Sequence, residues 1–215
     1  MVAENSFGII VLLLVTAALP IIAVTVTAFA KIAIVIFIVR NALGIQQLPP
    51  NIILYSLSLI LSAYIAAPVM ADAYAELEAR SFEMRTLQEW MDTGQAIKAP
   101  LVAFLEKHID PAQMTFFKES TVSIWGEKYA QNVDQKSLMI LVPSFLLSEM
   151  TKAFEIGFLL YLPFMAIDII VTTILVALGM MMVPPTTISI PFKLMLFVFL
   201  DGWTKLIHGL ILSYG

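Results

Sequence analysis

The side chains in this sequence able to do more than a plain apolar helix are a run of thioethers and a few charges set in hydrophobic surroundings. Met180, Met181 and Met182 stand in a row just before Pro184-Pro185. Methionine is unbranched and polarizable, so a run of it fills an irregular gap and refills it after something has moved through. Asp168, Lys193, Asp201 and Lys205 lie inside otherwise apolar stretches. A charge at the centre of a membrane span costs about 2.5–3.5 kcal/mol on insertion scales, so such groups pair or face a protein or water interior, and they mark functional sites. Asp201 and Lys205 are four apart, a spacing at which opposite charges meet along one helix face. Lys193 is then left to answer Asp168. In a hairpin folded at Pro184-Pro185, Asp168 lies sixteen residues before the turn and Lys193 only eight beyond it. An intrachain pair therefore requires a second break, at Gly179 or Pro191, or else the partner comes from another copy. Glu149 can pair with Lys152 at i,i+3 or reach a neighbouring subunit. Arg40 and Lys31 flank the apolar IAIVIFIV.

Other chemistry has little support. With no cysteine there is no disulfide, thiolate zinc site or cysteine nucleophile. His108 and His208 lie in different segments without partner spacing, so no metal site and no cofactor is expected. Glu106 and Asp110 are four apart, but a helix turns His108 to the other side, and no catalytic group emerges. The net charge of -4 is small and scattered, which gives no reason to expect nucleic acid or anionic lipid as a partner.

The elements that must position the thioethers and charges are apolar helices. Hydrophobic residues make up 60% of the chain and charged ones 13%, against about 25% charged in soluble domains, and mean hydropathy is +0.92. This is a membrane-class composition. Phe7 to Ala30 carries no charge and, at about 24 residues, is long enough to cross a hydrocarbon core of about 30 Å. Ala28-Phe29-Ala30 has the small-x-small form of a leader cleavage site, but Glu4 and the absence of a basic start favour a retained helix. That helix is expected to continue past Lys31 and Arg40 until Asn41 and Gly44 end it. Pro49-Pro50 breaks the chain, Asn51 is placed to cap the next helix, and the second span runs from Ile52 to about Ala71. Between Asp72 and Glu149 lie twelve of the sixteen acids and seven of the twelve bases. Amphipathic helices are expected there around residues 74–91 and 100–119, punctuated by Pro100, Asp110-Pro111 and Gly126. Ile156 to Val183 and Ile188 to Leu212 form the last two apolar runs. The expected fold is all-α and multi-pass: four long, broken hydrophobic helices in two hairpins, residues 1–71 and 143–215, with a small helical domain over 72–142. Lys31 and Arg40 place the first connection in the cytoplasm and the large domain in the periplasm.

Three blocks resemble the SctR/FliP family, the R-type core subunit of the type III secretion export apparatus and its flagellar counterpart. They are Arg40-Asn41-Ala42-Leu43-Gly44 with Gln46-Gln47, Pro49 and Asn51; Pro143-Ser144-Phe145 with Ser148-Glu149, Ala153-Phe154 and Ile156-Gly157-Phe158; and Gly179 to Pro185 with Pro191-Phe192-Lys193 through Asp201-Gly202-Trp203. Ser144 and Met150 depart slightly from the usual residues of the second block. The resemblance covers the chain apart from 72–142. It implies a non-enzymatic channel component of the bacterial inner membrane, in which five copies wind together with four S-type subunits and one T-type subunit. Unfolded secreted proteins pass through such a gate, and its assembled helices stand partly above the membrane plane. The resemblance also implies that Met180, Met181 and Met182 are the gasket of the passage. Glu149, Asp168, Lys193, Asp201, Lys205 and Arg40 are then candidates for buried charge or subunit contact. A short N-terminus favours an injectisome over a flagellum. A small-solute or ion transporter is the alternative, since it too places charges on broken helices; such proteins usually show repeated halves, which the two hairpins here do not.

Overall fold

The computed structural model describes residue 13, residues 16 and 17, and residues 20–45, 47–79, 87–130, 134 and 136–215. Among these, all regular structure is helical: α1 (Pro20–Val26), α2 (Phe29–Ala42), α3 (Asn51–Ala79), α4 (Leu87–His108), α5 (Pro111–Trp125), α6 (Glu127–Ala130), α7 (Leu138–Ala177), α8 (Pro185–Phe199) and α9 (Gly202–Leu212). Two helices, α3 and α7, are long and apolar enough to cross a membrane, and up to four spans result if α1 with α2 and α8 with α9 each count as one. With 40 residues, α7 is about 60 Å long, roughly twice the hydrocarbon core. The chain is a multi-pass, all-helical membrane protein.

Several boundaries differ from those expected. Of the first expected span, residues 7–12, 14, 15, 18 and 19 lie outside the described residues. Its continuation past Lys31 is not one helix, because the chain breaks at Thr27–Ala28. The Thr27 hydroxyl donates to the Ala23 carbonyl and accepts from the Phe29 amide, so it supplies a local alternative to helix continuation. Asn51 begins α3 but serves another group, since its side-chain oxygen accepts from Arg40 Nη1. Nor does α3 end near Ala71; it continues to Ala79. Residues 80–86, in the middle of the expected helix over 74–91, lie outside the described residues. The expected helix over 100–119 is divided at Ile109–Asp110, where the Asp110 carboxylate caps α5 by accepting from the Ala112 amide at 2.8 Å and Pro111 takes the first helical position. The fourth run bends by 60° between α8 and α9, and Asp201 at the bend has a left-handed φ of 52°.

Two compact units form. One comprises the described residues of 1–30 and 68–148. Its core is Val102, Leu105, Ile109, Leu141 and Phe145, with Phe104 tilted against Phe145 at 5.9 Å between ring centres. The Asp110 amide donates to Ser148 Oγ at 2.9 Å, which fixes the corner where α4 gives way to α5.

The other unit comprises residues 31–67 and 149–215. Ile32, Val35, Ile36 and Val39 of α2 are almost completely buried, as are Ala153 of α7 and Leu210 of α9. Small residues let these helices approach closely. A Cβ on Gly157 would fall onto the Ile38 side chain, and one on Gly44 would come within 2.9 Å of Ile190. Gly44 also carries a φ of +78°, so it ends α2 with a conformation that side chains resist. This unit holds the residues singled out from the sequence.

Candidate functional site

The methionine loop is built by two pieces of local chain chemistry. At the end of α7, Gly179 adopts a φ of +71°. The Met180 amide donates to Leu175 O at 2.9 Å and the Gly179 amide to Val176 O at 3.0 Å, a Schellman termination that satisfies two orphan carbonyls. On the far side Pro185 occupies the first turn of α8, where its missing N–H is harmless. Between these stops the three thioethers are presented outward. Met180 is 44% exposed, Met181 82% and Met182 97%. Among the described residues, nothing covers the last two.

Beneath the loop, Lys193 Nζ donates to Asp168 Oδ2 at 2.6 Å and to the Ala42 carbonyl at 3.0 Å. Ser189 Oγ donates to Asp168 Oδ1 at 2.7 Å. The pair forms within one chain because the turn begins at Gly179, ahead of the prolines. Asp168 then lies nine residues from the end of α7 and Lys193 eight from the start of α8, so both stand about 12–14 Å down their helices. Pro191 remains inside α8 and does not break it. Lys193 is buried while the Asp168 side chain is 35% exposed. The ammonium also sits at the C-terminus of α2, where helix carbonyls favour a cation. Sequence reasoning did not identify Ser189 or the Ala42 carbonyl. Ser189 lies one turn before Lys193, a spacing that could have marked it.

A second buried ionic cluster ties α2, α7 and the residues after α9. Lys31 Nζ lies 3.3 Å from Glu149 Oε2 and 3.5 Å from the centre of the Tyr214 ring, and the Tyr214 hydroxyl donates to the same carboxylate oxygen. Lys31 and Glu149 are both essentially inaccessible to water. The i,i+3 neighbour Lys152 stands farther off, 4.0 Å from Glu149 Oε1. Glu149 thus meets its main partners inside the chain. In the sequence Lys31 stands out only as a charge flanking an apolar run and as an orientation signal, and nothing there singles out Tyr214.

The remaining singled-out charges do not join either cluster. Arg40 is buried, donates to Pro49 O and Asn51 Oδ1, and lies 4.7 Å from the centre of the Phe37 ring. Asp201 and Lys205 are exposed. The Asp201 carboxylate accepts from Thr204 Oγ1 at 3.0 Å, in place of the Lys205 pair a continuous helix would make, because the backbone bends at Asp201. In the other unit, His108 Nδ1 contacts the Phe104 carbonyl at 2.7 Å, and Glu106 pairs with Lys136 at 3.2 Å. Among the described residues, no group of three or more His, Asp or Glu could hold a metal ion.

The arrangement is an ion pair that ties α7 to α8 beneath an exposed apolar loop. The chain has relatives among proteins named for translocation and secretion. The chain is 50% identical over 214 residues to the probable translocation protein y4yL of Sinorhizobium fredii, covering 98% of this chain and 96% of that protein. It is 47% identical to the Yop proteins translocation protein R of Yersinia pestis, covering 98% and 97%. It is 40% identical to the hypersensitivity response secretion protein HrcR of Ralstonia nicotianae, covering 96% of each. Residues 12–210 match the FliP family. The family match over most of the chain and the near full-length relatives agree, and the chain belongs to the FliP family.

Proposed function

We propose that this protein is a core subunit of the type III protein export gate, the channel through which unfolded substrate proteins leave the bacterial cytoplasm across the inner membrane. The observation that carries this reading is the bare methionine loop. Apolar side chains as exposed as Met181 and Met182, held on a hairpin locked by Lys193 and Asp168, lack a counterpart among the described residues. Sister copies supply one. Five copies, wound together with four S-type subunits and one T-type subunit, bring their loops to a common axis. Thioethers from all of them close the passage to ions and small solutes, yet deform around a chain of any sequence. The case for meeting sister copies therefore rests on the thioethers, because Glu149, Asp168 and Lys193 find partners inside the chain. The described geometry contains no observation that favours a solute transporter.

In this reading the first connection is cytoplasmic, residues 72–142 lie in the periplasm, and the assembled helices stand partly above the membrane plane. Relatives named for Yop translocation and for the hypersensitivity response favour an injectisome over a flagellum. The test is to replace Met180, Met181 and Met182 together by alanine and to measure ion conductance of the membrane and the mass of the extracted assembly. The expected result is an intact assembly that leaks small ions. An intact assembly with unchanged conductance would refute the gasket.

A further inference from the structure

Inside the α8–α9 bend, α2, α7, α8 and α9 surround a groove of about 350 Å³. Ile156, Leu160 and Phe164 of α7 form one wall, and α9 opposes them at Gly209, while Gly202, also in the lining, packs against Phe197 of α8. A Cβ built on Gly209 meets nothing within 4 Å, so the groove is real space at that point. Lys205, one turn from each glycine, is the charged residue of the lining, and it forms no ion pair among the described residues.

We propose that this groove holds an acyl chain of an anionic phospholipid, with the phosphate at Lys205. A dry apolar cavity of about 150 Å³ accepts a benzene molecule, so this one has room for a longer run of hydrocarbon. Left open, its walls lack contacting atoms on one side and forfeit dispersion contacts. The helices that form it are apolar enough to lie in a bilayer, where the nearest filler is a lipid tail. A flexible chain needs no matched shape, and an exposed lysine at the edge of an apolar slot complements an anionic headgroup. A lipid taken up in the bilayer travels with the chain into any assembly formed later. A side chain from a second copy is the competing occupant.

The experiment uses the full-length protein with its companion subunits, reconstituted in equal parts of phosphatidylglycerol and phosphatidylethanolamine, re-extracted in mild detergent and weighed by native mass spectrometry. The wild type is expected to retain phosphatidylglycerol in preference to phosphatidylethanolamine. Lys205→Gln is expected to lower that preference about fivefold, the effect of one lysine at an anionic surface. Gly209→Leu, which fills the groove, is expected to lose the retained lipid of both kinds with the protein mass of the assembly unchanged. Wild-type protein without retained lipid, or Gly209→Leu with wild-type retention, would overturn the proposal. Loss of assembly in Gly209→Leu from a wild type that carries no lipid would give the groove to a second copy. An unaltered headgroup ratio in Lys205→Gln would overturn the anionic specificity.

Discussion

Lys193 and Asp168 are unequal partners, and that inequality makes a sharp prediction. Lys193 is 4% exposed and its Nζ has two oxygen partners, Asp168 Oδ2 and the Ala42 carbonyl. The Asp168 side chain is 35% exposed and also receives the Ser189 hydroxyl. Asp168→Ala therefore strands a buried ammonium with a single neutral acceptor, and losses of about 3–5 kcal/mol are usual when one member of a buried pair is removed. Lys193→Met leaves a carboxylate that is only partly buried and that keeps a hydroxyl donor. The loss is then closer to that of one charge-assisted hydrogen bond, about 1.5–3 kcal/mol. The double variant removes the stranded charge and is expected to be no worse than Asp168→Ala alone. Thermal midpoints in detergent provide the assay, with shifts of about 6–20 °C for Asp168→Ala and about half that for Lys193→Met. Secretion of a reporter substrate should fall in the same order. Equal single effects that add in the double variant, to within about 0.5 kcal/mol, would refute both the pairing and the asymmetry.

Glu149→Gln should lower the midpoint by an amount equivalent to about 3–5 kcal/mol, because it leaves Lys31 buried without its anion, and adding Lys31→Met should recover part of the loss. Tyr214→Phe keeps the ring under Lys31 and removes one hydroxyl, so a loss of about 1 kcal/mol is expected in the same melt; Tyr214→Ala should cost more. Gly157→Ala forces its new methyl against Ile38 and should destabilise by about 1–3 kcal/mol, with relief on adding Ile38→Ala. Asp110→Ala removes a helix cap worth about 1 kcal/mol, and faster hydrogen exchange confined to the start of α5 is the readout.

Much of the helical layout was legible because it is decided within a few residues. Apolar runs too long for a soluble core announce the membrane helices, while Gly44, Pro49-Pro50, Gly179 and Pro184-Pro185 stop and start them through φ preferences and a missing N–H. The exposure of the methionine loop follows from the last two of these stops. Breaks without proline were not legible: Thr27 uses an ordinary hydroxyl, and Asp201 adopts a left-handed φ that an aspartate tolerates without advertising it. Asp110-Pro111 was legible as punctuation, yet the helix expected over 100–119 ran straight through it.

The sequence by itself determined that this chain is a set of long apolar helices carrying charges that must be paired, with three thioethers held between a glycine and two prolines. Only the tertiary structure decided which charges meet. Lys31, Glu149 and Tyr214 are far apart along the chain and come together because α2, α7 and the residues after α9 meet in one unit. Asp168 found Lys193 inside the chain because Gly179 moved the turn toward α7. Backbone preferences act over one helical turn and can be read in order. An ion pair depends on which faces are opposed after packing, and periodicity alone leaves that choice open.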